Sequence, residues 1–242
     1  MWVLVGGKSV DPAYRIYDFQ KDRKHKHAAE LLKGYQGIVH SDKYGAYEEL
    51  AKKKQIIWAP CWSHIRRKFF ESANDPPFRD WVLLKIRQLF KLEEDVWFIS
   101  EEERLKIRQE EEVPIIDELI ERIKRRLIEG RLLPKSKLRE ALCYFLSLKP
   151  YLKNYTKNAW ARLDKNPAER AIRPLAIGRK NWLFVGNEAG GEAAAIILSL
   201  VQTCRNLSIN PQEYLEDVMH RLMSHNNQRL FELLPDVWAQ NR

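Results

Sequence analysis

The sequence predicts an α/β fold class carrying a large all-helical insertion and a helical C-terminus. Three patterns predict it. Strand-like and helix-like segments alternate through the first third, as they do in layered α/β domains. Between residues 78 and 153 the apolar residues keep helical spacing, and no segment reads as a strand. Beyond that, two Asn-Pro-x-Glu starts, at Asn166 and Asn210, open further helices.

Taken in order, residues 2–5 and 14–19 read as strands, and Gly6-Gly7 and Asp11-Pro12 supply turn chemistry for a hairpin between them. Residues 25–32 read as a helix. Residues 37–42 form a short apolar strand that ends in Asp42. A helix over 44–54, a strand over 55–59 and a helix over 63–73 follow. After Pro76-Pro77 the period becomes helical, through Val82, Leu83, Ile86, Leu89 and Phe90, then Ile115, Ile116, Leu119, Ile120, Ile123 and Leu127, then Leu138, Ala141, Leu142 and Phe145. In the last third, Ala193, Ile196, Ile197, Leu200, Val201 and Cys204 form an apolar stripe. A second stripe is Tyr214, Leu215, Val218, Met219 and Leu222. The expected division is a first part of the α/β core over 1–77 and a helical insertion over 78–153. The remainder of the core spans 154–195, and a helical element spans 196–242.

Composition narrows the class of function. The chain has 242 residues and a net charge of +9, from 42 Lys+Arg against 33 Asp+Glu. Residues 91–129 hold 13 acids and 8 bases, so that stretch is −5 and the remainder is +14. The excess of positive charge therefore sits around the motifs below, which favours a polyanion such as nucleic acid over a merely solvated lysine-rich surface. No run approaches the length of a membrane-spanning helix, and the first residues lack the pattern of a signal peptide. Cys61, Cys143 and Cys204 are too few and too scattered for a disulfide framework. A reduced, cytoplasmic setting is expected.

Asp42 follows a strand and precedes a helix. Open α/β sheets place ligands and catalytic groups at that end of a strand, and a turn or N-cap Asp has the same signature. Glu169 sits in the first turn of a helix, where the dipole keeps a carboxylate ionised, as a Mg2+ ligand must be. It also reads as the third member of a capping box on Asn166. Cys61 and His64 form one C-x-x-H pair, half of a zinc site at best, or else a packed thiol and a hydrogen-bonded imidazole. Basic residues interleave with aromatic ones after each motif: Arg66, Arg67 and Lys68 before Phe69-Phe70, then Arg170 and Arg173, then Arg179 and Lys180 before Trp182. Such runs suit phosphate contact and base stacking, and they also suit a solvated helix face. The glycine-rich segment 186–191 lacks the Lys-Ser/Thr of a phosphate loop and reads as a turn.

Together these segments resemble the insertion-sequence-66 family of bacterial transposases. Ser41-Asp42-Lys43-Tyr44-Gly45-Ala46-Tyr47 is similar to its TDGYxGY block. Residues 61–70, Cys-Trp-Ser-His-Ile-Arg-Arg-Lys-Phe-Phe, are similar to CWAHxRRKFF. Residues 164–174 are similar to DNNxAERAxRP, and the Ile177 to Phe184 segment and Gly190-Gly191 continue in family order. Residues 199–215 resemble the family's C-terminal element.

The resemblance implies a DDE-type catalytic domain with an RNase H-like core, acting on DNA with Mg2+ or Mn2+ held by three acids. Asp42 takes the place of the second acid and Glu169 that of the third, both as metal ligands, with Cys61, His64 and Asn166 in support. Arg66, Arg67, Lys68, Arg170, Arg173, Arg179 and Lys180 take the place of DNA contacts. The first acid belongs to an Asp-Glu-Thr strand that should precede Trp2, and the motif is absent. The chain is therefore expected to be a C-terminal portion, incomplete at its first strand and inactive alone. Lys165 replaces a family Asn and adds a charge beside the presumed metal site. The expected partners are transposon ends and target DNA, with a second copy or a full-length transposase, in a nucleoid-associated bacterial setting without a membrane. The alternative is a non-catalytic DNA-binding remnant that modulates a full-length transposase.

Overall fold

The computed structural model describes residues 1–8, 13–72, 75–130, 132–182 and 185–241. Asp11-Pro12 of the expected hairpin turn, Ala73 at an expected helix end, and Leu183-Phe184 of the family motif lie outside the described residues. The protein is mostly helical, with few strands. Among the described residues the strands form two separate two-stranded sheets rather than one continuous layer. The chain divides into two compact units, one made of residues 1–23 with 166–242 and the other of residues 24–165.

In the first unit, β1 (Trp2–Gly6) and β2 (Tyr14–Asp18) pair antiparallel, with Leu4 opposite Ile16. Four α-helices complete it: α8 (Asn166–Trp182), α9 (Glu188–Asn206), α10 (Pro211–Leu222) and α11 (Pro235–Gln240). The apolar stripe expected on α9 is buried only in part. Ile196 and Ile197 are 61% and 53% exposed, whereas Gly191, Ala195, Thr203 and Cys204 are buried.

The reason lies in β2, whose outer edge would otherwise leave amides and carbonyls unpaired. The hydroxyls of Ser199 and Thr203, four residues apart on one face of α9, close that edge. Ser199 Oγ accepts the Tyr17 amide at 2.8 Å, and Thr203 Oγ1 accepts the Arg15 amide at 3.1 Å. Thr203 Oγ1 also donates to the Arg15 carbonyl at 3.3 Å. Covering an edge strand with a helix usually needs small side chains for close approach, and here the hydroxyls also replace a neighbouring strand.

On α10 only part of the expected stripe is buried. Tyr214 and Val218 join Cys204, Leu233 and Trp238 in a small core, and Met219 is 70% exposed. Two hydrogen bonds satisfy the polar tips of that core: Tyr214 Oη donates to the Leu233 carbonyl at 2.7 Å, and Trp238 Nε1 to Asp217 Oδ2 at 2.7 Å. The glycine-rich segment also differs from a simple turn. Asn187 caps α9, accepting the Gly190 amide at 2.8 Å, so Gly190 and Gly191 are already helical.

The second unit begins with α1 (His25–Leu31), β3 (Ile38–Ser41), α2 (Gly45–Lys52), β4 (Ile57–Pro60) and α3 (Trp62–Phe70). β3 and β4 are parallel, with Ser41 opposite Pro60. Proline is tolerated as the last residue of β4 because the next amide, that of Cys61, donates to the Ser41 carbonyl at 3.0 Å. The helices of residues 78–153 belong to this same unit. They are α4 (Pro76–Val96), α5 (Glu101–Ile107), α6 (Val113–Ile128) and α7 (Lys137–Ser147). Their buried residues follow the predicted spacing: Val82, Ile86 and Leu89; Ile116, Leu119 and Ile123; Leu138, Leu142 and Phe145.

A π-helical turn, Arg108–Glu112, joins α5 to α6. It turns Arg108 and Glu112 into the interior, where both are fully buried. Arg108 binds Glu93 with two nitrogens, at 2.7 and 2.8 Å. It also donates to the carbonyls of Asn158 and Ala161 at 2.6 and 2.8 Å. A buried guanidinium is tolerable only with this many acceptors. Its effect on the fold is to tether the segment that follows α7.

Candidate functional site

Asp42 stands immediately after β3, on the side of the sheet where β3 and β4 both end. Ser41 fixes that corner. Its buried hydroxyl accepts the Trp58 indole N–H at 2.9 Å and donates to the Asp42 carbonyl at 2.8 Å. Cys61 follows β4 on the same side and is the residue before α3.

Residues 162–165 run past these strand ends. The Arg162 amide donates to His40 Nε2 at 3.0 Å, and the Trp62 amide donates to the Leu163 carbonyl at 3.0 Å. Ser63 Oγ donates to Asp164 Oδ2 at 3.3 Å. The Lys165 amide points to Cys61 Sγ at 3.5 Å, and Lys165 Nζ reaches Asp42 Oδ2 at 3.1 Å. The Asp42 side chain is 43% exposed and that of Lys165 only 18%.

The surroundings are basic. Lys43 Nζ donates to Ser147 Oγ at 2.6 Å and lies 5.5 Å from the centre of the Tyr144 ring. Lys68 Nζ sits 5.8 Å from the same ring. Burial, then the neighbouring Cys61 and Asp42, push the Tyr144 phenol up to about 12, so it stays neutral. Burial also raises the Cys61 thiol. Burial, with Arg162 and Arg108 adding to it, lowers His40 to about 3, which keeps it a neutral acceptor for the Arg162 amide.

The remaining predicted residues divide between the units. His64 lies in the first turn of α3, one turn before Lys68. Arg66, Arg67 and Lys68 are exposed on that helix. Arg66 lies 5.7 Å from the Phe70 ring centre, and Arg67 pairs with Glu71 at 2.7 Å. Asn166 and Glu169 open α8 in the first unit, and both are exposed. Asn166 is the first helical residue, and α8 continues through Pro174. Arg170, Arg173, Arg179 and Lys180 are exposed along it. The two carboxylates expected to share metal ions are thus carried by different units, Asp42 by the second and Glu169 by the first.

Among the described residues no group of three or more His, Cys, Asp or Glu side chains forms a metal cage. At Asp42 an ammonium occupies the carboxylate oxygen that a divalent cation would take. The donor set as it stands does not fit such an ion. Tyr144, close enough to Asp42 to feel its charge, and Ser147, which holds the Lys43 ammonium, are residues of this corner that sequence reasoning missed. Tyr144 and Ser147 lie about a hundred positions away inside the helical block, and no local pattern marks them.

Residues 1–193 match the model of the Transposase IS66 family, and residues 199–235 match the IS66 C-terminal element. Three curated relatives come from Sinorhizobium fredii. One, described as "Uncharacterized protein y4hP", is 35% identical over 248 residues, covering 95% of this chain and 44% of its own length. A second, "Uncharacterized protein y4qI", is 34% identical over 227 residues, covering 90% of this chain and 41% of its own. A third, "Uncharacterized protein y4jD", is 28% identical over 238 residues, covering 93% and 46%. The chain spans less than half the length of these relatives. No solved structure matches it. No helix among the described residues is long and apolar enough to cross a membrane.

Proposed function

The chain belongs to the Transposase IS66 family, and from that premise we propose that it is the DDE-type catalytic portion of a DNA transposase, built on an RNase H-like core. The proposed division is a core over 1–77 and 154–195, interrupted by the insertion 78–153 and followed by the element 196–242. Asp42 and Glu169 serve as the carboxylates of the reacting centre, with Cys61, His64 and Asn166 in supporting roles. Mg2+ or Mn2+, where bound, supplies charge neutralisation at the phosphodiester and an activated water. The partners are transposon ends and target DNA, engaged with a second copy or a full-length transposase, in the bacterial nucleoid.

The observation that supports this reading best is the position of Asp42 at the end of a parallel strand, amid Lys43, Lys68 and Lys165. Ligands of α/β sheets bind at that end, and ammonium groups near it draw in a phosphate backbone. Arg66 adds positive charge on α3, and Arg170, Arg173, Arg179 and Lys180 are exposed along α8 of the other unit. Arg67 contributes less, because Glu71 already neutralises it.

Two carboxylates place paired ions poorly, so the 242-residue chain alone is expected to bind DNA without nicking or joining it. The test is binding to a fluorescent duplex across a salt series, together with a nicking assay on supercoiled plasmid in Mg2+. Affinity should fall steeply with salt, and Arg66→Ala or Lys68→Ala should each flatten the log–log slope by about 0.9. Salt-independent binding would overturn the DNA reading. Nicking that Asp42→Asn abolishes would locate the centre at Asp42 and overturn the inactivity of the chain alone. Binding that survives Asp42→Asn and Glu169→Gln without any activity, even beside a full-length transposase, would favour a purely DNA-binding role.

A further inference from the structure

We propose that the groove between α3 and α4 seats the phosphodiester backbone of DNA, with Arg66 and Arg87 as its two phosphate contacts. The inference rests on the reading of the chain as a DNA-binding protein. It adds to that reading a track on the helical block and a residue, Arg87, that no sequence motif marks.

The groove follows from how α4 is patterned. Val82, Ile86 and Leu89 point into the core. Beside that stripe Leu83 and Phe90 stay half-buried, and Arg87 lies exposed at the rim. From α3, Ser63 and Arg66, one helical turn apart, face this flank of α4. These side chains line a groove of about 470 Å³.

Its charge selects a polyanion. Both guanidiniums are exposed, and among the described residues neither has an acidic partner. Arg66 lies 5.7 Å from the Phe70 ring centre, which leaves its charge unneutralised. Asp80 also lines the groove, but Arg79 already holds it at 2.8 Å. Guanidinium groups bind phosphate bidentately and give up water more readily than ammonium groups. The apolar floor of Leu83 and Phe90 suits the C–H edges of deoxyribose.

The placement of the other cations favours DNA over an acidic peptide. Lys68 faces the Tyr144 ring of α7, whereas Arg66 lines the groove on the α4 side, so cations flank α3 on both sides. A peptide seated in the groove would use Arg66 and Arg87 alone, whereas an extended polyanion reaches both sets. The groove also continues the corner at the strand ends. Ser63 lines it and donates to Asp164, the neighbour of the Lys165 that pairs with Asp42.

The experiment is fluorescence anisotropy of a labelled random-sequence duplex with the full 242-residue chain across a potassium chloride series, with far-ultraviolet circular dichroism to check each fold. Arg87→Ala should flatten the log–log salt slope by about 0.9 and weaken binding about three- to tenfold at physiological salt. The Arg66→Ala/Arg87→Ala double variant should flatten it by about 1.8, and the charge-conserving Arg87→Lys should keep the wild-type slope. Leu84→Glu, at a rim position 53% exposed, should weaken binding by placing an acid in the groove. Lys124→Ala removes an exposed cation on α6 outside the groove and should change neither slope nor affinity. If Arg66→Ala and Lys68→Ala flatten the slope while Arg87→Ala and Leu84→Glu bind as wild type, the groove inference fails and the DNA reading stands. If Lys124→Ala has as large an effect as Arg87→Ala, binding is diffuse and the inference fails. If Arg87→Ala weakens the binding of poly-L-glutamate but not of the duplex, the groove serves an acidic polypeptide and the inference fails. If the wild type binds the duplex without salt dependence, the DNA reading fails and the inference fails with it.

Discussion

Replacing Glu112 by Gln should change how the stability of the protein depends on pH. Glu112 is fully buried in the π-helical turn. Its Oε2 accepts the Tyr155 hydroxyl at 2.7 Å, and its Oε1 has no hydrogen-bond partner. Burial, and then the nearby Glu93 carboxylate, push its pKa up from 4.5 to about 8. The native state thus keeps a proton that the unfolded chain releases above its ordinary pKa. Wherever the native state binds more protons, stability falls as pH rises. For Glu112 the falling range runs from about 4.5 to about 8, with a slope approaching 1.4 kcal/mol per pH unit.

Between pH 6.5 and 8 the loss is roughly 1.5 kcal/mol, since the slope eases as the native carboxyl begins to ionise. The buried tyrosines and thiols titrate above this window, and His40 contributes little there. Glu112→Gln preserves the size of the side chain and an acceptor for Tyr155, and it carries no titrating proton. Urea unfolding followed by fluorescence, with Trp58 and Trp62 buried in the same unit, should give a falling midpoint for wild type from pH 6.5 to 8 and a nearly flat one for the variant. Parallel lines for the two proteins would refute the assignment of the buried proton to Glu112.

Three further outcomes follow from the same kind of reasoning. His40 has a folded pKa depressed from 6.5 to about 3, so its contribution is present above pH 6.5 and is lost as pH falls toward 3. His40→Gln should therefore lose less stability than wild type on acidification from pH 6.5 to 5, by up to about 1.4 kcal/mol per unit, and equal losses would contradict it. Thr203→Val removes the hydroxyl that accepts the Arg15 amide, a residue only 4% exposed. It should cost about 1–3 kcal/mol in chemical denaturation, with Thr203→Ser recovering most of it. Gly190→Ala would place a Cβ 2.4 Å from the Val185 carbonyl oxygen. The turn into α9 must shift to admit it, lowering stability by about 1–3 kcal/mol, and an unchanged melting temperature would show that the turn yields freely.

Much of the local structure was legible in the sequence. Helical periodicity located α4, α6 and α7 and their buried faces, because a long helix packed on one side must repeat its apolar residues every three to four positions. The strand ending in Asp42, the C-x-x-H segment and the basic run after it were visible, and so was the helix opening at Asn166. What misled was α9. Of its apolar stripe Cys204 is buried while Ile196 and Ile197 face outward, and Ala195, Ser199 and Thr203 turn toward β2. Hydropathy ranks apolar side chains above small and hydroxylated ones, and it does not register an edge strand's need for hydrogen-bond partners.

The sequence by itself determined the family, the order and type of most elements, the basic character of the surface, and which carboxylates and arginines are candidates for chemistry. Those properties depend on residues close together in the chain or on motifs read in order. Only the tertiary structure decided that Lys165 sits on Asp42 across 123 positions, that Lys43 and Lys68 share the Tyr144 ring, and that Arg108 ties the segment carrying Lys165 to the helical block. Contacts of that range leave no period in the sequence. They follow from which buried charge finds enough acceptors and which strand end a passing segment meets when the unit closes.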